Sequence, residues 1–124
     1  MSKVLIIEDD PFLNRAYQTI LRREGFEVVS AVDGVLGLEK ANEVKPDLIL
    51  LDMLMPRLGG LEFLRIYKPK ELHPEVKVIV FSNMSVPESV KEAMELGAIK
   101  YMTKSSFSPK EMVTLIKETL NDPA

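Results

Sequence analysis

The chain has 124 residues with 16 basic and 19 acidic side chains and a formal net charge of −3, which fits one compact domain, residues 1–124, and argues against direct nucleic-acid binding. It has no Cys and a single His, His73, which excludes disulfides, thiolate catalysis and Cys- or His-rich metal sites. Its apolar runs are too short to span a membrane, and no signal-peptide cleavage site follows the first of them. We therefore expect a soluble, cytoplasmic domain.

Five apolar runs predict five strands. They cover residues 4–7, 27–31, 48–51, 76–81 and 99–102. The first, third and fourth are almost continuously apolar, which is typical of parallel strands buried on both faces of a sheet.

Segments with helical spacing of apolar residues separate and follow these runs. The predicted helices cover residues 11–24, 34–44, 60–67, 86–96 and 109–120. Asp10 and Ser85 are the expected N-caps of the first and fourth helices, whereas residues 68–75 carry no clear pattern. The regular alternation predicts a doubly wound (βα)5 fold of the α/β class, with a parallel five-stranded sheet between two layers of helices.

Polar residues follow directly after four of the five predicted strands. They are Glu8, Asp9 and Asp10 after the first, Asp52 after the third, Ser82 and Asn83 after the fourth, and Thr103 and Lys104 after the fifth. Parallel strands bring these residues to one edge of the sheet, which is where α/β proteins bind ligands. Clustered carboxylates favour a hard cation such as Mg²⁺. A carboxylate nucleophile with Mg²⁺, a Lys and a hydroxyl group is typical of an aspartyl-phosphate site.

Over almost its whole length the sequence resembles the receiver domain of two-component response regulators, in particular the stand-alone, chemotaxis-regulator-like receivers. The matching motifs are Ile7-Glu8-Asp9-Asp10, Asp52-x-x-Met55-Pro56-x-x-x-Gly60, Phe81-Ser82-Asn83, Gly97-Ala98, Lys104 and Phe107-Ser108-Pro109. The resemblance implies a flavodoxin-like three-layer sandwich with strand order 2-1-3-4-5. It also implies a phosphoacceptor domain rather than an enzyme, although such a domain can catalyse its own phosphorylation and slow dephosphorylation.

The resemblance also implies residue roles. Asp52 would accept a phosphoryl group from a histidine kinase or a histidine phosphotransfer protein. Asp9 would be the principal Mg²⁺ ligand beside Asp52, Glu8 would hold a metal-bound water, and the backbone carbonyl of Leu54 would be a further ligand.

Three more roles follow from the same resemblance. Ser82 and Lys104 would contact the phosphoryl oxygens, and Tyr101 would be the switch aromatic that moves inward with Ser82. The fourth helix, fifth strand and fifth helix would then form the surface that binds a downstream protein target or a second copy of the chain.

The sequence departs from the family pattern at two places. Lys104 is followed by Ser105 and not by Pro. A cis bond before a residue other than Pro costs roughly 3 kcal/mol, which disfavours the family's cis bond here, but the sequence alone leaves the isomer of Lys104–Ser105 open. Leu54 and Met84 are apolar at the two positions that flank the path of the hydrolytic water in the family, so we expect slow loss of the phosphoryl group.

Other interpretations of the same residues remain. Asp10 is better explained as a helix cap than as a ligand. A phosphorylation-independent interaction module of the same fold is the main alternative function. A Mg²⁺-dependent phosphohydrolase would need a second Asp at the position of Leu54, and a flavin-binding protein would need a phosphate-binding loop in place of the three acids.

Overall fold

The computed structural model describes residues 2–84 and 86–121 and contains one parallel sheet of five strands in the order β2-β1-β3-β4-β5. The strands are β1 (Lys3–Ile7), β2 (Glu27–Ala31), β3 (Leu48–Leu51), β4 (Lys77–Ser82) and β5 (Ala98–Thr103). The predicted strand number, order and direction are confirmed, and the predicted ends differ by one residue at most.

Helices connect the strands and lie on both faces of the sheet. They are α1 (Pro11–Arg23), α2 (Gly34–Val44), α3 (Gly60–Tyr67), α4 (Pro69–Leu72), α5 (Pro87–Glu95) and α6 (Pro109–Asn121), and a 3₁₀ turn spans Lys104–Ser106. The five predicted helices correspond to α1, α2, α3, α5 and α6. The short α4 was not predicted and fills part of the stretch without a pattern. The expected Ser85 cap lies outside the described residues. Within those residues, no helix is long and apolar enough to cross a membrane.

The core has one layer on each face of the sheet, and strand side chains alternate between the layers. Leu5, Ile49 and Val78 pack with helices α2, α3 and α5 on one face, while Ile6 and Leu50 pack with α1 and α6 on the other. The two layers explain why the central strands are apolar at successive positions. This burial makes the strands a rigid base for the residues that follow them.

Candidate functional site

Three carboxylates meet at the carboxyl edge of the sheet. One oxygen each of Glu8, Asp9 and Asp52 lies within 4.8 Å of the others. The sheet register explains this meeting: Ile7 of β1 is paired with Leu51 of β3, and the Asp52 amide donates to the Ile7 carbonyl at 3.0 Å. The residues that follow the two strands are therefore neighbours. Glu8 and Asp52 are buried, whereas Asp9 is exposed.

Lys104 follows the edge strand β5 and bridges two of these carboxylates, which follow β1 and β3. Its Nζ lies 2.5 Å from Glu8 Oε1 and 3.1 Å from Asp52 Oδ2, and its side chain is only 12% exposed. Of the peptide bonds in the described residues none is cis, so Lys104–Ser105, which the sequence left open, is trans. The Ser105 amide donates to Asn83 Oδ1 at 3.1 Å, which ties this 3₁₀ turn to the end of β4.

Burial and charge shift the protonation of this cluster. Burial raises the pKa of Glu8 to about 7, although its hydrogen bond with Lys104 acts in the opposite direction. Burial alone would lower the pKa of Lys104, but the hydrogen bond to Glu8 and the negative charge of Asp52 outweigh it and raise that pKa. Lys104 therefore stays an ammonium ion at neutral pH, and Glu8 needs a nearby cation to remain ionised.

Oxygen donors of this kind suit a hard divalent cation. Carboxylate oxygens are the usual protein ligands of Mg²⁺, which keeps several waters and therefore fits a site with one exposed side. The three acids thus form a pocket whose oxygen donors suit Mg²⁺.

Ser82 and Tyr101 converge on the same backbone segment. Ser82 is fully buried at the end of β4, and its Oγ accepts a hydrogen bond from the Met84 amide at 3.3 Å. The Tyr101 hydroxyl donates to the Met84 carbonyl, and its partly buried ring packs against the core on the α2, α3 and α5 face. Burial raises the pKa of Tyr101, so its hydroxyl remains a donor.

Asp10 and Leu54 border the acidic pocket. The Asp10 carboxylate accepts from the amides of Phe12 at 2.9 Å and Leu13 at 3.2 Å, so Asp10 is the N-cap of α1 as predicted. The Leu54 side chain is 58% exposed, and its amide donates to Asp52 Oδ1 at 3.4 Å. An exposed apolar side chain thus stands directly beside the acceptor candidate.

Two polar contacts near the site were not predicted from the sequence. Buried Asn14 donates from Nδ2 to the carbonyls of Glu8 at 2.8 Å and Ala31 at 3.1 Å, which fixes α1 to the ends of β1 and β2. An Asn within the apolar stripe of the first helix was the signal for this contact. Asp33 pairs with Arg57 at 3.1 Å, and no local sequence pattern indicates a contact over that separation.

Comparison with known proteins identifies the class. Residues 4–117 match the family described as response regulator receiver domain. The fold and the acidic pocket agree with that match, and the chain belongs to this family.

Individual proteins are similar to this chain over most of its length. The phosphate regulon transcriptional regulatory protein PhoB of Klebsiella pneumoniae is 33% identical over 118 residues, which are 95% of this chain and 51% of that protein. The chemotaxis protein CheY of Treponema pallidum is 38% identical over 105 residues, which are 82% of this chain and 72% of that protein. The crystal structure of a CheY-like receiver domain protein from Methanospirillum hungatei matches with a TM-score of 0.91 at 30% identity and covers 98% of this chain and 94% of that one. The chain spans about half the length of the first curated relatives that it matches.

Proposed function

We propose that this chain receives a phosphoryl group on Asp52 from the phosphohistidine of a histidine kinase or a histidine phosphotransfer protein. One observation carries the proposal: Asp52 lies within 4.8 Å of two further carboxylates, and the Lys104 ammonium contacts both Asp52 and Glu8. Acids and a cation in this arrangement suit the attack of a carboxylate on phosphorus and the binding of the charged product.

The transfer forms one bond and breaks one. A carboxylate oxygen of Asp52 attacks phosphorus and forms an acyl phosphate, while the bond between phosphorus and the donor's imidazole nitrogen breaks and that nitrogen keeps the electron pair. Lys104 would donate a charge-assisted hydrogen bond to a phosphoryl oxygen. Ser82, at the end of the neighbouring strand, would donate its hydroxyl hydrogen to another phosphoryl oxygen.

The metal site of this proposal uses Asp9, Asp52 and the Leu54 carbonyl as ligands, with Glu8 acting through a metal-bound water. When bound, Mg²⁺ would supply positive charge that offsets the charge of the carboxylates and of the incoming phosphoryl group. Burial already raises the pKa of Glu8 to about 7, which fits a role that depends on a neighbouring cation. Asp9 is the exposed member of the three and lies where solvent reaches the site.

The output would be a change of protein binding. Ser82 and Tyr101 both contact the backbone of Met84, so a movement of Ser82 toward a phosphoryl group would alter the support of the Tyr101 ring. The surface formed by α5, β5 and α6 is adjacent to that ring. We propose that this surface binds a downstream protein target, or a second copy of the chain, differently in the two states.

The test is intact mass after incubation with acetyl phosphate and Mg²⁺. We expect one phosphoryl adduct on the wild type, none on Asp52→Asn, and none in the presence of EDTA. Asp47→Asn is the matched control, because Asp47 is exposed and precedes the same strand at its other end; it should be phosphorylated normally. A wild type without an adduct under these conditions would refute the proposal and support a phosphorylation-independent interaction module.

A further inference from the structure

The loop between Asp52 and α3 contains a strained backbone turn. Arg57 has a positive φ of 69°, and the Leu58 amide donates to the Pro56 carbonyl at 2.7 Å. A hydrogen bond between residues two apart, with a positive φ at the residue between them, defines a γ-turn of the rare and strained kind. Strain of this type persists only where the surroundings hold it, and it concentrates at functional sites.

Asp33, at the start of α2, holds this turn. Its side chain is 5% exposed, and its Oδ2 lies 3.1 Å from Arg57 Nη1. Its other oxygen accepts from the Leu36 amide at 2.9 Å as the N-cap of α2. The capping bond fixes the orientation of the carboxylate, so the ion pair anchors the turn to a rigid helix end and not to a mobile side chain.

A second contact between the same elements supports the anchor. The Gly34 amide donates to the Leu58 carbonyl at 3.1 Å. A Cβ on Gly34 would lie 2.3 Å from that carbonyl oxygen, so the two backbones are in direct contact. At the base of the loop, the Gly60 amide donates to the Met53 carbonyl at 3.0 Å. The loop is therefore fixed at its base by its own backbone and at its tip by α2.

Leu54 lies between these two fixed points along the chain. A side-chain ligand can reach a metal by changing rotamer, but a carbonyl ligand is placed only by the conformation of its backbone. We infer that Asp33 and Arg57 are positioning residues that hold the Leu54 carbonyl for the cation, and this inference rests on the function proposed above. Neither residue is among the proposed ligands of the cation or the proposed contacts of the phosphoryl group.

Variants can remove the ion pair while they preserve the rest of the structure. Asp33→Asn keeps the size and the capping oxygen, because Asn caps helices as well as Asp does. Arg57→Gly removes the cation and suits the positive φ. Arg57→Lys retains the positive charge and should therefore retain most of the wild-type Mg²⁺ affinity. Glu24→Gln is the control, because it breaks an exposed ion pair with Lys117 that lies away from the site.

The measurements are the Mg²⁺ dissociation constant from NMR titration of backbone amides, the thermal midpoint, and hydrogen exchange of the Leu58 amide without metal. Asp33→Asn and Arg57→Gly should each weaken Mg²⁺ binding about tenfold, a typical loss when a group that orients a ligand is removed. The double variant should bind Mg²⁺ no more weakly than either single variant. Hydrogen exchange of the Leu58 amide should be faster in both single variants than in the wild type. Glu24→Gln should bind Mg²⁺ like the wild type.

The outcomes separate the two proposals. If the wild type binds Mg²⁺ but Asp33→Asn binds it equally well and only melts earlier, the pair is structural and the inference is wrong. If the wild type neither binds Mg²⁺ nor forms an adduct with acetyl phosphate, the proposed function is wrong, and the positioning role fails with it.

Discussion

Replacement of Lys104 by Met should have opposite effects on metal binding and on phosphorylation. In the structure the ammonium group contacts oxygens of Glu8 and Asp52. A divalent cation at the proposed site would need the negative charge of these carboxylates and part of the space around their oxygens. Under the proposed function, the ammonium would give way, at least in part, when the cation binds. Loss of Lys104 would then remove a competitor for the metal and, at the same time, a donor to the phosphoryl group.

The magnitudes follow from the contacts. A hydrogen bond between charged groups contributes about 1.5–3 kcal/mol, and tenfold in affinity corresponds to about 1.4 kcal/mol. If one of the two bonds is lost on metal binding, Lys104→Met should bind Mg²⁺ about tenfold more tightly. Removal of a donor that stabilises developing charge typically slows a reaction by about 100- to 1000-fold, and we expect a loss of this size in phosphorylation by acetyl phosphate.

Calorimetric or NMR titration with Mg²⁺ and the rate of adduct formation are the assays, with Lys100→Met as the control. Lys100 is an exposed Lys on β5, the strand that Lys104 follows, so its replacement changes net charge without touching the site. Both constants of Lys100→Met should stay near those of the wild type. Weaker Mg²⁺ binding by Lys104→Met would refute the reasoning, since it would mean that Lys104 organises the carboxylates for the metal and does not compete with it.

The stability of Lys104→Met adds a pH signature. A buried ion that loses its partner costs about 3–5 kcal/mol. Glu8 can escape this cost by protonation, because burial already raises its pKa from 4.5 to about 7. A folded-state pKa above the unfolded value means that the folded state binds the proton more tightly, so stability falls as pH rises through this range. The variant should therefore melt well below the wild type at pH 8 and approach it at pH 5.

Further predictions concern the phosphoryl lifetime, the tyrosines and the core. Leu54→Asn combined with Met84→Glu should shorten the adduct's half-life in a mass-spectrometric decay assay, because both introduce polar groups that can orient water; an unchanged half-life would contradict this. Burial raises the pKa of Tyr17 and Tyr67 from 10.0 to about 12, so each neutral ring contributes up to about 2–3 kcal/mol. This contribution is complete below pH 10 and is lost toward pH 12. Tyrosinate absorbance should therefore appear above pH 10 and together with loss of circular dichroism. Gly37→Ala would place a methyl group 2.6 Å from a core isoleucine and should cost about 1–3 kcal/mol in urea unfolding.

The sheet and the meeting of the acids could be predicted because both depend on burial. Continuous apolar runs occur where strands are covered on both faces, and the first polar residue after such a run marks the edge of the sheet. Glu8 and Asp52 follow paired strands, so their proximity needed no knowledge of side-chain conformations. The same argument predicted that Lys104 lies at this edge. Its contact with both carboxylates depends on a 3₁₀ turn, and Ser105 and Ser106 give no sequence signal for that turn.

The loops could not be predicted to the same degree. The four residues of α4 are too few to show a helical period. The helix begins at Pro69, after Lys68 has taken a positive φ of 49°. In the loop after Asp52, sequence rules assign a left-handed conformation to glycine. Gly59 is extended, and Arg57 takes that conformation instead. The reason is tertiary: the contact with Asp33 lies 24 positions away in the chain.

Two different physical effects therefore build this site. Buried strands place its side-chain donors, and their positions should survive most changes at the surface. A loop would place the proposed backbone ligand, the Leu54 carbonyl, and that loop is held by one ion pair and one backbone contact with α2. Because the loop contacts touch neither Asp52 nor Lys104, substitutions at Asp33 or Arg57 should change metal affinity while the acceptor and its ammonium partner stay in place.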